Sequence, residues 1–293
     1  MRYSTKITLF GMIGLLILLT ACAPVNEQTQ QTSKMQVSVS IPPQAYFVER
    51  IAGELVEVNI LVGAGDDPHS YEPTPRQMQA IAKSQAYFAN GVEFEDAWLG
   101  KFAAANPQMQ IVDTASGIDF LDEENGHGKD PHTWLSPSLV KLQAGTIADT
   151  LIRLDPDNKG TYLEGRDSFI KDIELLDDEI RQQFDSLTSK TFLTVHPSYA
   201  YLARDYGLQM IAVQVEGQEP GAGELSRIID LADEYNLRVI FAQQAFSTRD
   251  AAILADQIGA KVVILDPLAK DWLSNMNIIT SEIAVSLNGA EGQ

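Results

Sequence analysis

Over residues 157–189 the apolar positions Tyr162, Phe169, Ile173, Leu176, Ile180, Phe184 and Leu187 recur mostly at steps of three and four. After Gly165 neither proline nor glycine interrupts the run. That spacing lays one apolar stripe along a single helix, and Pro156 suits its first turn. About 30 residues at ~1.5 Å each make a rod of roughly 45 Å. A rod of that length inside a chain of 293 residues limits the folds open to it, and predicts a spine joining two bodies.

The segments on either side of this spine read alike. Short β-rich runs at 36–41, 56–63, 86–90 and 109–114 alternate with helical patterns such as 43–53 and 75–84. Runs at 191–196, 209–215, 238–243 and 261–266 alternate with helical stretches near 198–206, 223–236 and 248–258. The repeated alternation predicts an α/β fold of two lobes, each with a mainly parallel sheet flanked by helices, joined by the one long helix. The expected boundaries are 36–155 for the N-terminal lobe, 156–189 for the linking helix and 190–293 for the C-terminal lobe. One packed helix, in place of flexible crossover strands, restricts such lobes to small rocking motions.

Residues 1–21 place Arg2 and Lys6 ahead of an apolar run that ends at Cys22. The run is too short to span a bilayer comfortably and has the flanks of an export signal. Leu19-Thr20-Ala21-Cys22 resembles the lipobox of bacterial lipoproteins. That implies cleavage before Cys22 and lipid attachment to its sulfur, with more than one acyl chain holding the protein on a membrane. Residues 22–35 are polar and read as a flexible tether. Cys22 is the only cysteine, so the body beyond it has no disulfide and no thiolate metal site despite an exported location. The net charge is −19, and losing Arg2 and Lys6 with the signal makes it more negative still. Such a surface repels phosphate backbones and argues against a nucleic-acid partner.

Two of the four histidines sit in near-copies of one phrase, DPHSYEP around His69 and DPHTWLSP around His132. His196 ends the run TFLTVH and Asp266 ends KVVILD, each directly before a proline. Ligands of open parallel sheets bind outside the carboxyl ends of strands, so His69, His132, His196 and Asp266 are expected on one edge of two sheets, two from each lobe. Three imidazoles and one carboxylate suit a first-row divalent ion such as zinc, whereas calcium and magnesium want mostly oxygen. Tyr71 and Trp134, two residues past a histidine in each phrase, are expected to wall the site from water. Asp66, Asp67, Asp130, Glu216 and Glu219 are candidates to orient the imidazoles, and spacing does not choose among them. Without Asp266 the three histidines would leave an open position, with Glu216 or Glu72 as a base, as in a zinc metallohydrolase. No H-E-x-x-H helix, G-x-S-x-G elbow or phosphate-binding glycine loop accompanies them.

Taken in order, DPHSYEPTP, DPHTWLSP, HPSYAYLARDYGL (196–208), GQEPGAGEL (217–225) and IGAKVVILDPL (258–268) resemble the motifs of the substrate-binding proteins of zinc and manganese ABC importers. The resemblance covers nearly the whole mature chain. It implies two α/β lobes joined by a long helix, a metal ion in the cleft, no enzymatic activity, and delivery to a membrane permease driven by a cytoplasmic ATPase. By motif match the family's ligands fall on His69, His132, His196 and Asp266. In this family histidine at the position of His196 goes with zinc and glutamate with manganese, so zinc is expected, with manganese or iron as the alternative. A lipid-anchored monomer on the extracytoplasmic side of a prokaryotic envelope follows, and some lipid-anchored members have been described as adhesins. Two departures stand out. The acidic segment 120–132 is short and offers only His127 besides His132, where zinc members often carry a long histidine-rich loop. Gln243 stands where the family usually shows glutamate.

Overall fold

The computed structural model describes residues 34–63, 65–122, 128–214, 221–243 and 248–289. Strands β1 (Met35–Val39), β2 (Val56–Ile60), β3 (Ala86–Ala89) and β4 (Gln110–Asp113) pair in parallel in the order β2-β1-β3-β4. Strands β5 (Thr191–Thr194), β6 (Gln209–Ala212), β7 (Val239–Ala242) and β8 (Lys261–Ile264) repeat that arrangement as β6-β5-β7-β8. β3 and β5 are buried at every position, as strands covered on both faces must be.

Parallel pairing requires crossovers. In the first lobe these are α1 (Pro42–Ala52), α2 (Pro75–Ile81) and α3 (Phe94–Ala105); in the second they are α6 (Ala200–Tyr206), α7 (Ala222–Glu234) and α8 (Thr248–Ile258). Three further helices, α4 (Pro137–Leu154), α5 (Lys159–Asp185) and α9 (Trp272–Gly289), complete the described set. With these strand orders the winding reverses between β1 and β3, and again between β5 and β7. Crevices for ligands open at such switch points.

The spine is α5, 27 residues and about 40 Å long, shorter at both ends than the periodicity predicts. Pro156–Asn158 form a 3-10 turn instead, where the Asp155 carboxylate accepts from Asn158 Nδ2 at 2.7 Å and from the Tyr162 hydroxyl at 2.8 Å. At the far end the helix stops before Ser186, and Lys190 Nζ reaches back to the Phe184 carbonyl. All seven stripe residues are buried, against α1, α4 and α9. Gly165 makes the crossing with α1 possible, because a Cβ there would run into the Ile51 carbonyl.

α9 is a helix that the strand-and-helix reading of the sequence does not include. Trp272, Met276, Ile279, Ile283 and Leu287 are buried and share one apolar core with Phe47, Phe169 and Phe192. The Trp272 ring meets Phe47 edge-on at 5.4 Å and Phe169 at 6.1 Å. One core therefore runs across the junction, while the second lobe keeps a cluster of its own around Leu193, Ile228, Ile240 and Leu254. No helix among the described residues is long and apolar enough to cross a membrane.

Candidate metal centre

Both aspartate-proline-histidine phrases fold the same way. Asp67 Oδ1 accepts the His69 amide at 3.0 Å, and Asp130 Oδ1 accepts the His132 amide at 2.9 Å. An aspartate that caps the amide two residues on makes a local turn, and the proline between fixes φ. The repeated phrase is thus a backbone device that presents an imidazole from a loop.

The turns differ in what holds the ring. Asp130 Oδ1 also lies 2.7 Å from His132 Nδ1. At His69 the Nδ1 faces Glu93 Oε1 instead, at 2.8 Å. His196 follows β5 and is buried, and its imidazole is hydrogen-bonded by the side chain of Gln214. Thr194 Oγ1 and the Ser198 amide both donate to the His196 carbonyl, at 3.0 and 2.9 Å.

These supports bring the three rings together. Ring centroids lie 4.9 Å apart for His69 and His196, 5.2 Å for His132 and His196, and 6.2 Å for His69 and His132. His69 Nε2 and His196 Nε2 are 3.2 Å apart. One nitrogen from each of the three lies within 4.8 Å of the others. The space they border is about 20 Å³, room for one water-sized species and far too little for an organic substrate. Trp134 lines this space, with its ring 5.1 Å from that of His132. Tyr71 does not line it: its hydroxyl goes to Gln77 at 2.7 Å and its ring packs edge-on against Phe94.

Burial, with the neighbouring His132 and His69, holds the His196 imidazole well below its ordinary range of about 6.5. It is kept neutral, as a metal ligand must be. Burial pushes the Glu93 carboxyl up, but its hydrogen bond and attraction to His69 outweigh this and leave it below the usual carboxylate range. Beneath it Glu95 is buried, accepts the Asn90 and Gly91 amides at 2.9 Å each, and is pushed up to about 7 by burial.

The Asp266 side chain does not join the three histidines. It is exposed, and its Oδ1 accepts the Leu268 amide at 2.9 Å. Its backbone is nonetheless fixed beside the site: Asn275 Nδ2 donates to its carbonyl at 2.7 Å, Trp134 Nε1 donates to the Pro267 carbonyl at 2.8 Å, and Pro267 and Leu268 line the space. Of the described carboxylates expected to orient the rings, only Asp130 does so directly. Asp67 holds the His69 backbone, Asp66 accepts the Gly63 amide at 3.0 Å, and Glu72 is exposed. Glu216, Glu219, His127 and Cys22 lie outside the described residues. No local motif marks Glu93 or Gln214 as site residues. Gln243, which stands where the family usually shows glutamate, is buried, lines the space and donates to Ser198 Oγ at 2.5 Å. Glu93 and Gln243 follow β3 and β7, the strands at the two switch points, so what marks them is the strand order, which local sequence does not carry.

Comparison with known proteins agrees with this geometry. A family model described as zinc-uptake complex component A, periplasmic, matches residues 37–285. The crystal structure of a protein named ZnuA superposes with a TM-score of 0.83 at 47% identity, covering 86% of this chain and 99% of that one. The high-affinity zinc uptake system protein ZnuA of Bacillus subtilis is 29% identical over 280 residues, 89% of this chain and 88% of its own length. The manganese-binding lipoprotein MntA of Halalkalibacterium halodurans is 25% identical over 86% of each chain. Family members are solute-binding proteins of transporters rather than enzymes, which removes the metallohydrolase reading. A doubled α/β fold, histidines converging from both lobes and a match over most of the length together mean that the chain belongs to the family of zinc-uptake component A proteins, the substrate-binding proteins of metal-ion ABC importers.

Proposed function

We propose that this chain captures zinc outside the cytoplasmic membrane and presents it to the permease of an ABC importer driven by a cytoplasmic ATPase. The observation that carries the reading is the meeting of His69, His132 and His196, drawn from both lobes, around a space fitted to one ion. Three imidazole nitrogens favour zinc over manganese, because nitrogen-rich coordination suits zinc and zinc binds most N/O sites more tightly. Asp266 supplies the fourth ligand by exchanging the Leu268 amide for the ion, a side-chain rotation on a backbone already held in place. A closed set of four ligands holds the ion tightly, so release requires the permease to draw the lobes apart. In this reading residues 1–21 are removed, Cys22 carries the lipid, residues 22–35 tether the body to the extracytoplasmic face of the membrane, and the protein acts as a monomer.

Elemental analysis of the full chain, expressed and purified without added metal, tests the assignment. About one zinc per chain is expected, and His196→Ala should lose it. Manganese or iron in place of zinc would overturn the choice of metal, and no metal in either protein would overturn the function.

A further inference from the structure

The loop between β3 and α3 touches both aspartate-proline-histidine turns. Glu93 Oε1 lies 2.8 Å from His69 Nδ1. Three residues earlier, Asn90 Nδ2 donates to the Pro131 carbonyl at 3.0 Å, next to His132. The loop is itself anchored from below, where the buried Glu95 carboxylate accepts the Asn90 and Gly91 amides and the Ser40 hydroxyl. Glu93 borders the space between the histidines, and its second oxygen, Oε2, is buried with no hydrogen-bond partner among the described residues. A buried carboxylate oxygen without a donor is costly, unless a cation supplies the missing partner charge.

We infer that Glu93 is a positioning residue for the metal site: it keeps the proton of His69 on Nδ1, aims Nε2 at the ion and adds a negative charge beside it. Through Asn90 the same loop sets the His132 turn, so the N-terminal lobe offers two oriented imidazoles before any ion arrives. This rests on the metal-capture reading. It adds that one loop at the β1/β3 switch point presets the His69 nitrogen and braces the turn that carries His132. Outer partners of this kind are worth 10–100-fold in metal affinity.

The test uses ¹⁵N-labelled full chain and its Glu93→Ala and Glu93→Gln variants. Long-range ¹H–¹⁵N spectra of the metal-free proteins report the histidine tautomers, and zinc titrations against a competing chelator report affinity. The metal-free wild type should show His69 protonated on Nδ1. Glu93→Ala should release that tautomer and weaken zinc binding by about 10–100-fold. Glu93→Gln keeps an acceptor at Oε1, so it should restore the tautomer and recover part of the affinity. A wild-type His69 protonated on Nε2, or Glu93→Ala binding zinc within twofold of wild type, would overturn the inference. A wild type that binds no zinc overturns the metal-capture reading instead, and the spectra still decide whether Glu93 sets His69.

Discussion

His69 and His132 stand in the same aspartate-proline-histidine turn, yet their rings are held by different carboxylates: Asp130 from within the turn, and Glu93 from another loop. A bound ring must turn one nitrogen to the ion and anchor the other, and the phrase alone guarantees only the backbone half of that task. This is why the histidines were legible in the sequence and Asp130, inside the phrase, stood among the candidate partners, whereas Glu93 did not: it is 24 positions from His69 with nothing local to connect them. Acid sensitivity belongs at this scale. An unfolded histidine gains a proton below about 6.5, while burial keeps folded His196 neutral to lower pH. Its contribution to stability is therefore present above 6.5 and is lost as pH falls below that value. Protons also compete with the ion for the nitrogens, so zinc affinity measured by competition should be lower at pH 5 than at pH 7.5. Equal affinities would contradict imidazole coordination.

Among the elements, α5 was the most legible, because its stripe runs for six turns with one hydrophobic period. What periodicity could not give was its ends, set by the Asp155 and Lys190 contacts. α9 escaped for a different reason. Its run Ile278-Ile279-Thr280 has weak helix propensity, and the helix forms because Trp272, Met276, Ile279 and Ile283 find a core to join. The strands were found within a few residues, but their order, and with it the switch points, is a tertiary fact that no strand pattern contains. The α1–α5 crossing offers the sharpest test of an element contact. Gly165→Ala drives a methyl group into the Ile51 carbonyl, and should cost about 1–3 kcal/mol of stability in denaturant titrations. Zinc binding by the molecules that fold should be unchanged, because the substitution lies on the spine and not at the site. Stability equal to wild type would show that α1 and α5 have room to separate.

In the whole molecule the lobes are joined by more than the spine. Trp272 Nε1 donates to the Trp134 carbonyl at 2.7 Å, Tyr201 donates to the Asp130 carbonyl at 2.7 Å, and Lys270 pairs with Glu49 at 2.7 Å. With a core continuous across the junction, these contacts oppose wide hinge opening, as the single linking helix predicts. Small-angle scattering of the metal-free and zinc-loaded protein should give nearly equal radii of gyration, and a large compaction on loading would contradict a rocking mechanism. The acidic surface, net −19 over the chain, draws cations toward the site without choosing among them; choice belongs to the nitrogens. The most direct measurement is therefore anomalous diffraction at the zinc edge from crystals of the loaded protein. A single peak about 2.0–2.1 Å from one nitrogen each of His69, His132 and His196 is the predicted result. A map with no peak between those rings after zinc soaking, or with zinc bound elsewhere, would contradict the account.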